Sequence, residues 1–435
     1  YGRAAEDSAR HSGMREATEH LSRAIGLLSR VEDESERTSL QIDLQSALGA
    51  STMALHGYAD PAIEAAYDRA RDLCGRIERG SRVGYTLVGL AIYYFNSGQL
   101  TEGAKLAEEA LEIAAGEGDD SLELLGHVQL AIPRLWQARF AESREHAEAA
   151  CALYDRERHA DLGFRFGTDQ GVAARCFAGF AHTHTGDPER GLARANEGVA
   201  LARELGKPFD VAYALTLQSC LSWVLGDLDS QRRLAEEAVA ISQDHGFADF
   251  QGMGRLLDGV ARALDGGERS GLEDCVAGLE LAASTGRRGG ATGFLEGVAL
   301  AHRAHGEAEA AENWVNAGLA LGEETGERWC EPRLLRVRAE LRFARDGDAG
   351  AAARELRRGM ELAREVGDPL SELDCANGLA RLPGTSEDPD AVQALLRPSY
   401  SALGGGPATR VAREASELLG ESATDPFQPG LANSI

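Results

Sequence analysis

The glycines of this chain are spaced at a regular interval. Gly186, Gly226, Gly266, Gly306 and Gly347 stand 40, 40, 40 and 41 residues apart, and Gly206, Gly246, Gly286, Gly326 and Gly367 follow each of them by 20. Two interleaved series at one interval require an internal repeat. The segments ending on the second series, such as "GLARANEGVALARELG", "RRLAEEAVAISQDHG" and "RELRRGMELAREVG", carry apolar residues at helical spacing. They close on a glycine, which takes the left-handed conformation that ends a helix. The first series sits in the turns that enter those helices, as in "GDPE", "GDLD" and "GEAE". A second helical stretch, such as "DVAYALTLQSCLSWVLG", separates the units. Each unit is therefore helix A, turn, helix B, turn.

A small residue stands twelve positions after each glycine of the first series: Gly198, Ala238, Gly278, Gly318 and Gly359. The same register runs backward through Gly98 with Ala110 and Ala138 with Ala150. That spacing is the one a tetratricopeptide (TPR) repeat uses where helices A and B approach closely. It accounts for much of the chain's 51 glycines, each of which costs about 1 kcal/mol against alanine inside a helix. The expected fold is all-α: a TPR-like α-solenoid, a right-handed superhelix of roughly nine to ten helical hairpins. Its period exceeds the roughly 34 residues of the standard repeat, so the helices are longer, and the usual large aromatic of helix A is mostly missing.

The expected organisation is a repeat array over 1–382, C-terminal loops with a capping helix ("VAREASELLG") over 383–420, and a mobile tail over 421–435. At the other end, "REATEHLSRAIGLLSRV" reads as a helix B whose helix A, "AAEDSARHSG", is cut short at Tyr1. With no starting Met, that predicts a fragment of a longer protein.

Net charge −25 argues against a nucleic-acid-binding surface, because phosphates are repelled. Lys105 and Lys207 are the only lysines, and neither sits in a phosphate-binding G-x-x-x-x-G-K-[ST] loop. Seven scattered cysteines with no C-x-x-C pair predict reduced thiols and a cytoplasmic setting. No stretch of 18 apolar residues predicts a membrane span. H-E-x-x-H and G-x-S-x-G are absent, and the last 35 residues hold too little for a two-helix DNA reader. His182 and His184, two apart, fall on different helical faces. His302 and His305 read as solvated or capping side chains rather than metal ligands. No catalytic, cofactor or metal site is expected.

What remains lies on helix A faces, which line the concave side of such an array. The groove candidates for a partner or ligand are Tyr93, Tyr94, Arg134, Trp136, Asp169, Arg175, Trp223, Arg333 and Arg336, together with the surrounding "YYF" and "FGTDQGVAARCF" segments. The competing reading is core aromatics and solvated charges at helical spacing. In "GEETGERWCEPRLLRVRAEL", Gly326 closes a helix B, Trp329 anchors the turn and Cys330–Pro332 start the next helix A. Arg333, Arg336 and Arg338 are expected to fan around its exposed faces. Cys330 has no base beside it in sequence to make it a nucleophile.

Four segments, "GYADPAIEAAYDRARDLC" (57–74), "FGTDQGVAARCFAGFAHTHTGDPERGLARANEGVALARELG" (166–206), "GEETGERWCEPRLLRVRAEL" (322–341) and "LAREVGDPLSELDCANGLARL" (362–382), occur here in that order. They resemble the C-terminal TPR region of bacterial proteins that carry a class III adenylate/guanylate cyclase domain and an AAA/STAND-type ATPase. The resemblance spans roughly residues 1–420. Where that family often has an aromatic after the Trp of "GERW", this chain has Cys330. The resemblance implies a regulatory superhelix; the cyclase and nucleotide-binding residues would lie upstream, and none maps onto this sequence. The expected function is a non-catalytic sensor and interaction module. Its partners would be upstream domains of the same polypeptide, or a protein or peptide ligand. The alternative is a stand-alone peptide- or small-molecule-binding receptor.

Overall fold

The computed structural model describes residues 14–57, 60–74, 80–404 and 409–420. The stretches expected to form a cut-short helix A (4–13) and a mobile tail (421–435) lie outside the described residues. α1 (Met14–Leu27) leads into α2 (Glu34–His56) and α3 (Pro61–Cys74), then α4 (Ser81–Asn96) and α5 (Leu100–Glu117), and α6 (Asp120–Trp136) and α7 (Phe140–Leu153). After the short α8 (Leu162–Phe166) come α9 (Gln170–His184) with α10 (Pro188–Leu205), α11 (Pro208–Leu225) with α12 (Leu228–His245), and α13 (Ala248–Asp265) with α14 (Arg269–Ser284). α15 (Ala291–Ala304) with α16 (Ala308–Thr325), α17 (Glu331–Asp346) with α18 (Ala349–Val366), and α19 (Pro369–Ala380) with α20 (Pro389–Ala402) follow, and α21 (Arg410–Leu418) ends the stack. The described residues thus form nine consecutive helical hairpins, a TPR-like α-solenoid.

The period follows from local chemistry. α10 through α13 are each 18 residues long and joined by two-residue turns, which gives the 20-residue offset of the glycine series. Asp187, Asp227, Asp348 and Asp368 start helices by accepting a first-turn amide on the side chain. Gly206, Gly246, Gly326 and Gly367 end helices in the left-handed region. One member of the first series departs from this pattern: Gly266 has φ −103, and the left-handed turn moves one residue on to Gly267, φ 61.

The small residue of helix B acts through space, most visibly between α13 and α14. Gly252 and Gly259 face Gly278 and Gly271, so the two backbones touch. A Cβ added at Gly259 would lie 2.5 Å from both the Cys275 amide nitrogen and the Gly271 carbonyl oxygen. Because both obstacles are backbone, Gly259→Ala is expected to lose about 2 kcal/mol net by overpacking, despite a helix-propensity gain of up to about 1 kcal/mol. A urea unfolding midpoint measures it; an unchanged or raised midpoint would show that the pair can spread without loss.

The main core runs from Ile42 to Leu341, with Leu124, Leu125, Phe140, Phe180 and Val298 fully buried. A second core, from Ala339 to Leu419, joins α17 through α21.

Candidate ligand-binding cavity

Faces of the A helices of successive repeats line a common hollow. A cavity of about 360 Å³ is walled by eight consecutive repeats, from Met53 on α2 to Trp329 at the entry of α17. Its lining is aromatic: Phe95, Trp136, Phe177, Phe180, Phe209, Tyr213, Trp223, Phe247, Phe250, Phe294 and Trp329 all contribute. Edge-to-face pairs hold many of these rings, including Trp136 with Phe177 (centroids 6.0 Å apart) and Phe209 with Phe250 (5.0 Å). The Cys220 thiol in this wall is pushed up to about 12 by burial, so it stays protonated and behaves as a small apolar group.

The wall also carries charge. Arg287 donates through Nε to both Asp249 oxygens at 2.8 Å and through Nη2 at 2.5 Å. These side chains are 12% and 14% exposed, and each neutralises the other, so the pair contributes no net charge to the apolar cavity.

The groove candidates scatter when placed in three dimensions. Trp136 and Trp223 line the cavity. Tyr93 is buried instead in a side cluster with Ile63, Tyr67 and Leu90, and Tyr94 packs half-buried against it. Arg134 is buried on α6 and ion-pairs with Glu108 of α5. Asp169 is the start cap of α9, accepting from the Gly171 and Val172 amides at 3.0 and 3.1 Å, and takes the Tyr154 hydroxyl at 3.1 Å. Arg175 donates to the Gly171 carbonyl at 2.9 Å and covers the Tyr154 ring.

Arg333 and Arg336 do not fan around exposed faces; both are buried. Arg333 contacts Glu296 of α15 at 2.9 Å and lies over Trp329, 4.7 Å from the ring centroid. Arg336 pairs with Glu340 at 2.8 Å and with Asp374 of α19 at 2.7 Å, and Arg410 of α21 reaches the same Asp374 at 3.0 Å. Burial works against the Asp374 charge, but attraction to Arg336 and Arg410 overrides it and lowers its pKa to about 2. These arginines tie helices of neighbouring repeats together, because a buried cation needs a paired anion.

Cys330, 1% exposed, has its thiol raised well above the ordinary value by burial and by the Glu296 charge, so it is no thiolate nucleophile. His302 lies 2.7 Å from Glu307, while His305 donates to the Ala301 carbonyl. Among the described residues no three His, Cys, Asp or Glu side chains gather as a metal site, and no helix is long and apolar enough to cross a membrane.

No family model matches the chain. An uncharacterized protein of Rhizobium meliloti (strain 1021) is 24% identical over 372 residues, covering 84% of this chain and 35% of that protein. The chain therefore spans about a third of the length of the curated relative it matches. Among solved structures, a Rap protein complexed with Competence and Sporulation Factor superposes with TM-score 0.62 at 14% identity, over 84% of this chain and 96% of that one. The apo form of RapI superposes with TM-score 0.50 at 12% identity, over the same shares. The shared feature is the fold.

Proposed function

We propose that this chain is a non-catalytic sensor module whose central cavity binds an apolar, aromatic-bearing ligand and whose occupancy regulates domains of the same polypeptide. The observation that carries this reading is the cavity itself: twelve aromatic residues from successive repeats converge on one space. Its volume falls in the range of small-ligand sites, and its wall has no net charge to discharge into a ligand. The resemblance to cyclase- and STAND-ATPase-linked TPR regions supplies the kind of domain regulated. A match that covers only 35% of a longer relative supports an attached effector. A stand-alone peptide or small-molecule receptor is the second reading, supported by the Rap structure, 96% of which this chain covers and which holds a bound factor.

The test uses N-phenyl-1-naphthylamine, a neutral aromatic dye. Trp136, Trp223 and Trp329 line the cavity, so binding is expected to quench tryptophan emission as dye emission rises. Leu217→Glu places a carboxylate in the wall and is expected to weaken the dye at least about tenfold, since an unpaired charge in an apolar site is costly. Equal dye affinity in wild type and Leu217→Glu, with helix content retained, would move the site elsewhere.

A further inference from the structure

The wall of the cavity is not one superhelical turn but two. The turn entering α15 slots between the ends of α2 and α4: Thr285 packs on Gly57, and the Arg288 and Gly289 amides donate to the Asn96 carbonyl at 2.8 and 3.2 Å. One repeat further on, the turn entering α17 does the same. Thr325 packs on Gly98, and the Arg328 and Trp329 amides donate to the Trp136 carbonyl at 2.8 and 3.2 Å. The pattern then leaves the cavity but continues along the stack. His184 donates through Nδ1 to Asp368 at 3.0 Å, with both side chains buried, and the Arg413 guanidinium donates to the Gly226 carbonyl at 3.3 Å. Hydrogen-bonded partners in this seam are 184 to 193 residues apart in sequence, and the packed pairs Gly57–Thr285 and Gly98–Thr325 are 228 and 227 apart, which is one turn of the coil.

Two features make the seam more than packing. Its backbone donors in the cavity wall are amides of the turns just before α15 and α17, and the other turn of the coil supplies their acceptors. Its contacts also need specific residues: a Cβ on Gly289 would lie 2.2 Å from the Phe95 carbonyl oxygen. Asn96, Trp136, Gly289, Gly290 and Trp329 belong to the seam and to the cavity wall at once. Trp136 and Trp329, from opposite sides of the seam, stand 4.8 Å apart, centroid to centroid.

We infer that the seam regulates this site: a ligand contacting both turns binds only the closed coil, so occupancy of the cavity closes the seam and release lets it open. The inference rests on the cavity being the ligand site, and it names the moving element as the contact between turns. A ligand whose contacts exist in one state only shifts the equilibrium toward that state, and the coupling acts in both directions. The buried His184–Asp368 pair is a positioning pair. Neither residue lines the cavity, and together they hold the second turn on the first.

Two measurements on the same chain test this. Residue-resolved hydrogen exchange reads the Arg288 and Arg328 amides, which are protected by the seam and lie outside the cavity lining. Saturating N-phenyl-1-naphthylamine is expected to slow their exchange about 5- to 10-fold. The variant Asp368→Asn keeps a start cap for α19, since asparagine also accepts the Ser371 amide, and removes the carboxylate facing His184. It is expected to speed exchange at Arg288 and Arg328 and to weaken the dye about 5- to 10-fold, with helix content unchanged. A local capping role would lower thermal stability and leave dye affinity untouched. Dye binding that leaves both amides unaltered overturns the coupling, as does wild-type dye affinity in Asp368→Asn. Failure of wild type to bind the dye at all, by contrast, removes the cavity as the ligand site and the coupling with it.

Discussion

Glu296→Ala is expected to lower the stability of the array by about 3–5 kcal/mol, the effect of stranding a buried cation. Glu296 is 3% exposed on α15 and holds Arg333 of the next helix A through Oε2, 3.1 Å from Nε and 2.9 Å from Nη2. Arg333 cannot turn to water without leaving the faces of Trp329 and Trp223, whose ring centroids lie 4.7 and 5.7 Å from it. Removing the carboxylate therefore leaves a charge in an apolar site rather than a missing contact. The double variant Glu296→Ala/Arg333→Met is expected to recover most of the loss, because an apolar pair of similar volume replaces a desolvated ion pair. Urea unfolding at pH 7 measures both. A loss under about 1 kcal/mol in the single variant would mean that Arg333 finds water.

The second large effect has the opposite sign. Asp210 is 2% exposed, and burial, with the charge of Asp169 adding to it, raises its carboxyl to about 6, while the Asp169 amide donating at 2.8 Å offsets part of this. The folded-state value lies above the unfolded one, so the folded protein binds the proton more tightly. Its contribution is intact below the unfolded value, near 3.8, and is lost progressively as pH rises to about 6. Above that the penalty is constant, about 3 kcal/mol at about 1.4 kcal/mol per pH unit. Asp210→Asn keeps an oxygen for the Asp169 amide and carries no charge. It is expected to stabilise the fold by up to about 3 kcal/mol at pH 7 and by little near pH 4. A variant-minus-wild-type difference that stays flat across that range would show that Asp210 is ionised at no cost.

The repeat was legible because its signals are local. A left-handed helix end favours glycine whatever packs around it, so Gly206, Gly246, Gly326 and Gly367 declared the period and the structure places each at φ between 68 and 79. The joint at 322–341 also took its expected form, with Trp329 buried and α17 starting at Glu331. The roles of Arg333 and Arg336 were not legible. Their spacing on one helix looks like a solvated face, and their partners Glu296 and Asp374 stand in neighbouring repeats. A signal was nonetheless present: Arg287 with Asp249, Arg303 with Glu340 and Arg336 with Asp374 all pair across 37 or 38 residues, just under one repeat. Arginine and acid recurring at the repeat interval mark inter-repeat ties.

The cavity was half legible. Trp136, Trp223 and the "YYF" and "FGTDQGVAARCF" segments pointed to it, since Phe95, Phe166 and Phe177 line it. Phe209, Tyr213, Phe247, Phe250 and Phe294 were missed, although each lies at or beside a helix A, because an amphipathic helix shows which residues avoid water and not which of them border a void.

The sequence by itself determined the helices, their ends, the repeat interval and the close approach of A to B, because each of these depends on residues within about forty positions. Only the tertiary structure decided which buried charges meet, where the coil leaves a hollow and how one turn seats on the next. Those contacts join residues a repeat or a full superhelical turn apart, as Asn96 joins Gly289 and His184 joins Asp368. The curvature that brings them together accumulates from small rotations at every helix interface.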